Sequence, residues 1–267
     1  MTALTLFGGF ASTVFWPASQ GLLDAFGWRA TLWIYAALHL AVCLPLHLAF
    51  VPASRGVSAH SEELGRATPA GSAPAESLRG STRSTYVWLA TALSIAAFLS
   101  AALSAHLIAV LKAASLTARE AVLVSSLVGP MQVAGRIAEF GFARRLSPLH
   151  VGALAFALMA AGMASLALVH GFSAMAFAFA ILYGWSNGVM TIVRGTVPGI
   201  LFGRRNYGAL LGRLALPAFV AKAFAPVAFT LVLAAGLPRE AALWTLFAGA
   251  AFALVGYRQA TRAAGHP

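Results

Sequence analysis

The chain has 267 residues, of which 60% are hydrophobic and only 9% are charged, and its mean hydropathy is +0.82. Because soluble domains carry about 25% charged residues, this composition argues against a water-soluble fold and predicts an all-α membrane protein in contact with the lipid bilayer. The formal net charge of +11 comes from basic residues spaced between hydrophobic runs, so we expect them to set membrane topology and expect no nucleic-acid partner.

Apolar runs bounded by Arg, Gly, Pro or polar clusters predict about eight transmembrane helices. In chain order, the predicted spans cover residues 3–22, 30–51, 86–111, 121–142, 149–169, 172–197, 208–235 and 240–257. A stretch rich in Ser, Ala, Gly and Pro lies between the second and third spans and favours a disordered linker. We therefore expect three regions: two helices (1–51), a linker (52–85) and a six-helix bundle (86–267).

The distribution of basic residues predicts the orientation of these spans. Ten arginines fall on the linker's side of the membrane, against four basic residues on the other side. The linker's side holds Arg55, Arg66, Arg79, Arg83, Arg144, Arg145, Arg204, Arg205, Arg258 and Arg262, and the opposite side holds Arg29, Lys112, Arg119 and Arg239. Because cytoplasmic loops carry an excess of basic residues, we expect the linker and both termini in the cytoplasm and the spans in the cell inner membrane.

The first predicted span carries a polar face formed by Thr13, Trp16 and Gln20. Trp16 precedes Pro17, which is expected to kink the helix and to free backbone acceptors near a cavity. We therefore predict that Gln20 contacts substrate.

The fourth predicted span carries an ionisable face. Charged side chains at mid-membrane cost about 2.5–3.5 kcal/mol each on insertion scales, so those retained in a span tend to face a cavity or a partner. Arg136 shares one helical face with Gln132 and Glu139. Two roles fit Arg136: an ion pair with Glu139 that stabilises the cytoplasmic gate, or binding of a ligand together with Gln132.

The sixth predicted span carries a stripe that recurs at helical spacing and is polar at three of its four positions: Tyr183, Asn187, Met190 and Arg194. Such a stripe is disfavoured against lipid, so we expect it to face a cavity or a neighbouring helix. Asn187 also suits a hydrogen bond between helices.

Lys222 lies near the middle of the seventh predicted span, and nothing acidic lies within one turn of it. It therefore needs an anion from elsewhere. Arg213, in the same span, is close enough to the cytoplasmic end to extend its side chain to the surface.

The order of two spans, a long linker and six spans resembles helices five to twelve of the major facilitator superfamily of secondary transporters. The outer connection between helices five and six of that family is similar to the turn Phe26-Gly27-Trp28-Arg29. The family's loop motif between helices eight and nine is similar to Gly135-Arg136-Ile137-Ala138-Glu139 followed by Arg144-Arg145, although Glu139 replaces an Asp and Phe140 an Arg. The resemblance implies gating roles for Gly135, Glu139, Arg144 and Arg145.

The resemblance implies a transporter that moves a small solute by alternating access. Oxalate–formate and monocarboxylate carriers are similar in placing an arginine on helix eight, and the former also a lysine on helix eleven, where Arg136 and Lys222 fall. This implies a small anionic substrate; a carboxylate from a helix outside this chain is the alternative partner for either cation.

The family's first four helices have no counterpart here, so the chain is expected to be an incomplete version that relies on missing helices or another membrane chain. A non-transporting remnant or a helix-packing assembly partner is the alternative function. No cluster of residues has metal-ligand spacing and no enzyme motif is present, so we expect no metal, no cofactor and no catalysis.

Overall fold

The computed structural model describes residues 2–50, 80–142, 146–203, 207–236 and 238–265. These ranges are almost entirely helical and contain no strand, which confirms the predicted all-α class. The helices are α1 (Thr2–Leu38), α2 (Leu44–Phe50), α3 (Gly80–Ala113), α4 (Ala118–Phe142), α5 (Pro148–Ala167), α6 (Ala174–Phe202), α7 (Tyr207–Ala234) and α8 (Arg239–Ala263). A π-helical turn, His39–Cys43, joins α1 directly to α2.

Seven helical segments in the described part of the chain are long and apolar enough to cross a membrane, against about eight predicted. Six of them lie in α3–α8, and the seventh is Val14–Phe50. The difference arises because no loop separates the predicted spans 3–22 and 30–51. Only Gly27 interrupts the helix there, with φ 72° and ψ 170°.

The chain reverses direction at Gly27. The hydroxyl oxygens of Ser19 and Tyr35 lie 2.6 Å apart although they are sixteen residues apart in sequence. A straight helix would separate those residues by about 24 Å. Within the unit of residues 18–50, the helical segments before and after Gly27 therefore run back along each other, and the left-handed φ at the turn is one that glycine adopts without a Cβ clash.

Two compact units divide the described chain. Residues 18–50 belong to one unit, and residues 2–17 belong with α3–α8 to the other. Helix α3 begins at Gly80, six residues before the predicted span, and the rest of the predicted linker, 52–79, lies outside the described residues.

Helices α3–α8 form a bundle whose contacts follow a simple rule. Helix α3 packs mainly on α7 and α8, helix α6 packs mainly on α4 and α5, and α5 packs on α8. The same set of contacts results if each of the first three helices is exchanged for the helix three places later, that is α3 for α6, α4 for α7 and α5 for α8. The bundle is therefore built as two three-helix repeats with equivalent neighbours.

Glycines bring α4 and α6 into close contact. A Cβ on Gly188 would overlap the backbone carbonyl of Gln132, and one on Gly184 would lie 2.8 Å from the carbonyl oxygen of Val128. From the other side, a Cβ on Gly135 would lie 2.8 Å from the carbonyl oxygen of Trp185. The spacing Gly184-x-x-x-Gly188 thus works as a small-residue contact that sets Gln132 beside α6.

Helix α7 is tied to α3 where prolines interrupt its hydrogen bonding. Pro217 has no N–H to donate to the carbonyl of Arg213, and the Tyr86 hydroxyl of α3 donates to that carbonyl at 3.1 Å. One end of α7, and with it the Lys222 segment, is thereby fixed against α3.

Candidate functional site

A cavity of about 240 Å³ lies in the unit that contains α3–α8. Side chains from α3, α4, α6 and α7 line it, together with one from α1. They are Trp16, Ser100, Ser104, Leu107, Ser125, Val128, Gln132, Tyr183, Asn187, Met190, Thr191, Arg194 and Lys222.

One face of each helix supplies these side chains. Helix α4 contributes residues 125, 128 and 132, and α3 contributes residues 100, 104 and 107, which are the three- and four-residue spacings of a single helical face. All four members of the stripe predicted on the sixth span line the cavity, as does Thr191 beside them. The cavity therefore lies where four polar faces converge.

Hydrogen bonds fix the wall between α3 and α6. The Ser100 hydroxyl donates to Asn187 Oδ1 at 3.0 Å, and the Tyr183 side chain lies near both of these groups. The Ser104 hydroxyl donates to the carbonyl of Ser100 at 2.7 Å, and that of Thr191 to the carbonyl of Asn187 at 3.2 Å. The polar groups on this wall are held in place before any solute arrives.

Two cations line the cavity, and none of the described residues that line it is a carboxylate. Arg194 is half-buried, whereas Lys222 is exposed. Within the described residues one ion pair forms, between Arg239 and Glu240 at 3.3 Å. Neither Arg194 nor Lys222 is paired with a carboxylate in that part of the chain, so the cavity carries uncompensated positive charge.

Ser125 adds an unpaired hydroxyl. Its side chain is fully buried, lines the cavity, and has no hydrogen-bond partner among the described residues. A buried hydroxyl without a partner costs about 1–3 kcal/mol. A polar solute in the cavity would supply the missing partner.

Three of the predicted site residues lie elsewhere. Arg136 is outside the cavity lining, and its Nη2 donates to the Thr191 hydroxyl at 3.4 Å, so it contacts the cavity wall from behind. The Gln20 amide donates to Asp24 Oδ1 at 2.8 Å within the separate unit of residues 18–50. Glu139 is half-buried near the end of α4 and does not line the cavity.

The other predicted gating residues of the loop motif are Gly135, Arg144 and Arg145. Gly135 makes the backbone contact with α6 described above. Arg144 and Arg145 lie outside the described residues.

Sequence reasoning missed the serines of the cavity. Ser100 and Ser104 are spaced by four residues in an otherwise apolar span, which is a weak signal, because serine in a helix can satisfy its hydroxyl on its own backbone. Ser104 does this, whereas Ser100 bonds to another helix.

Comparisons with descriptions of known protein families, with curated proteins and with solved structures found nothing that matches this chain. The functional inference therefore depends on the chemistry of the cavity.

Proposed function

We propose that this chain is a domain of a secondary transporter, of the major facilitator type, that binds a small anion in the cavity between α3, α4, α6 and α7. The observation that carries the proposal is the pair Arg194 and Lys222 lining a polar cavity to which the described part of the chain contributes no carboxylate. Retaining two cations in membrane-spanning helices is costly unless a partner compensates them. An anionic solute is that partner.

The donors favour a small carboxylate. A guanidinium can bind a carboxylate through two parallel hydrogen bonds, and an ammonium acts as a compact charge, so Arg194 would orient the anion and Lys222 would neutralise it. Gln132 and Asn187 add neutral amide groups. The cavity volume of about 240 Å³ is below the range of about 300–1,000 Å³ typical of drug-sized ligands, which favours a solute of few heavy atoms.

The repeated contact pattern of the bundle supports alternating access. Each repeat has three helices, so if all six cross the membrane, the second repeat runs in the opposite direction to the first. Inverted repeats with a substrate site near the membrane midplane are a recurring architecture of secondary transporters, and the two halves exchange conformations during transport. The cavity is lined by two helices of each repeat, which supports a substrate site at the interface between the repeats.

Counterflow in liposomes tests transport. The full chain is reconstituted into liposomes preloaded with unlabelled oxalate, whose two negative charges match the two cavity cations, and uptake of [14C]oxalate is followed. We expect oxalate to bind, with uptake above that of protein-free liposomes only if the chain needs none of the helices that it is expected to lack. Lys222→Gln should abolish binding and any uptake, and Arg213→Gln, which removes a charge from the same helix outside the cavity, should abolish neither.

The outcomes separate the alternatives. Oxalate binding without uptake would favour an incomplete transporter or an assembly partner over a chain that transports alone. Uptake that is equal in the wild type and Lys222→Gln would contradict the proposed site.

A further inference from the structure

A second cavity, of about 260 Å³, lies between the first turns of α5 and the last turns of α8. It is separate from the site described above and shares none of its residues. Its walls are Leu149, His150, Ala153, Tyr257, Arg258, Thr261 and Arg262.

Tyr257 forms a rigid base for this cavity. Its side chain is fully buried, its ring stacks on Phe156 with centroids 5.0 Å apart, and its hydroxyl donates to the carbonyl of Leu149 at 3.0 Å. Gly152 leaves the room that this hydroxyl occupies, because a Cβ there would overlap it. The buried Tyr257 therefore fixes α5 against α8 beside the cavity.

The mouth of the cavity is strongly cationic. Arg258 and Arg262 are exposed, lie four residues apart and therefore share one face of α8. Neither forms an ion pair within the described part of the chain. Like charges at this spacing destabilise a helix unless an anion binds between them. His150 lines the cavity from α5, with its Nδ1 2.6 Å from the Ser147 hydroxyl.

The depth of the cavity points to an amphipathic ligand. Helix α5 has 20 residues and a length of about 30 Å, which equals the thickness of the hydrocarbon layer, so its first turn lies at the membrane interface. Beyond the cationic mouth, toward the middle of the bilayer, the neighbouring surface is apolar. Leu154, one turn after His150, is 49% exposed, and Val255, one turn before Arg258, is 50% exposed.

We propose that this cavity binds the phosphodiester headgroup of an anionic phospholipid, with an acyl chain lying along Leu154 and Val255. Basic pockets between transmembrane helices at the interface suit such headgroups, and arginine binds phosphate oxygens through two hydrogen bonds. The proposal does not depend on transport, since the site is distinct from the cavity that carries Arg194 and Lys222.

Native mass spectrometry of the delipidated full chain tests the proposal. Phosphatidylglycerol and phosphatidylcholine with identical acyl chains are added in turn, and we expect tighter binding of phosphatidylglycerol. Combining Arg258→Gln with Arg262→Gln should weaken phosphatidylglycerol binding by about 25-fold, about fivefold for each arginine, and leave phosphatidylcholine unchanged. The matched control combines Lys112→Gln with Arg119→Gln, which removes two charges at the opposite end of the bundle and should preserve the preference.

A soluble phosphate is the other source of the same chemistry. Binding of [32P]orthophosphate that is lost in the double arginine variant, with no preference for phosphatidylglycerol, would overturn the lipid proposal in favour of a soluble ligand. Equal retention of phosphatidylglycerol by the wild type and the double arginine variant would also overturn it.

Discussion

At the scale of single residues, the cavity combines groups that are satisfied within the protein with groups that are not. Ser100 donates a hydrogen bond to Asn187, so these two side chains form a fixed wall. Arg194 and Lys222 have no carboxylate partner within the described residues. The second set is where a solute gains free energy by binding, because it replaces missing interactions instead of competing with existing ones.

Ser125→Ala should separate binding from stability. Removing an unpaired buried hydroxyl leaves no protein group unsatisfied, so the unfolding temperature of the purified chain should be unchanged or higher. Oxalate affinity should fall about two- to tenfold, the equivalent of one hydrogen bond of about 0.5–1.5 kcal/mol. A thermal unfolding scan and an oxalate titration measure the two effects.

Ser186→Ala is the converse control. Ser186 is also fully buried, but its hydroxyl donates to the carbonyl of Ala155 at 2.8 Å, away from the cavity. This substitution should lower the unfolding temperature and leave oxalate affinity unchanged. If Ser125→Ala behaves in the same way, its hydroxyl does not face the solute.

The sequence predicts which basic residues are candidates for the site, but it does not predict which of them line the same cavity. A basic residue inside an apolar run is conspicuous, so Arg194 and Lys222 could be proposed from hydropathy alone. Which of them meet depends on the rotation of each helix about its axis, which hydropathy does not determine. The resemblance to anion carriers implies that Arg136 shares a site with Lys222, whereas in the structure Arg136 contacts Thr191 and lies outside the cavity lining.

At the scale of helices, the contact between α4 and α6 positions Gln132 against the polar stripe. Gly188 permits it, because α6 lies against the backbone of Gln132 at that residue. A helix pair this close leaves no space for a Cβ, so even a methyl group must move one helix.

Gly188→Ala should therefore destabilise the protein by about 1–3 kcal/mol, the usual cost of overpacking, and weaken oxalate binding as α4 shifts. Gly195→Ala is the matched control on the same helix, since a Cβ there meets nothing within 4 Å. It should change stability by no more than about 0.5 kcal/mol. Unfolding of both variants in detergent micelles measures the difference, and equal effects would mean that α4 and α6 are not in close contact.

The helical elements were largely predictable, but the first pair shows what was not. Periodicity and hydropathy detect long apolar runs, and the six runs after the linker each correspond to a helix. The reversal near Gly27 takes a single residue, with no polar loop to mark it. Hydropathy therefore predicts two spans, 3–22 and 30–51, but does not show how they are connected. The Ser19–Tyr35 contact shows that the chain folds back between them.

At the scale of the whole molecule, the reversal at Gly27 predicts that the N-terminus and the segment around Ser72 lie on the same side of the membrane. If Val14–Phe50 crosses twice, a tag at the N-terminus and a tag inserted after Ser72 lie on the same side. Antibody access to both tags should then require permeabilisation of the inner membrane, as expected for cytoplasmic segments. Tags on opposite sides would mean that this segment crosses only once.

The repeated contact pattern of the bundle also belongs to the scale of the whole molecule, and composition does not predict it. Helices α3–α5 and α6–α8 are equivalent in the helices that they contact. We identified no repeated sequence motif that predicts this equivalence. The two cavity cations belong to the second repeat, while the serines and Gln132 belong to the first. A relative movement of the repeats would therefore change the distance between the cations and these groups of the first repeat, which is the physical basis expected for alternating access.

Equilibrium binding of [14C]oxalate to the purified full chain tests most directly whether the cavity is an anion site. We predict saturable binding that unlabelled oxalate displaces and the uncharged analogue oxamide does not. Arg194→Gln and Lys222→Gln should each weaken it by about 10- to 100-fold, the equivalent of a charged hydrogen bond of about 1.5–3 kcal/mol, and Arg213→Gln should leave it unchanged. Displacement by oxamide as readily as by oxalate, or wild-type affinity in both cavity variants, would contradict the assignment of this cavity to an anion.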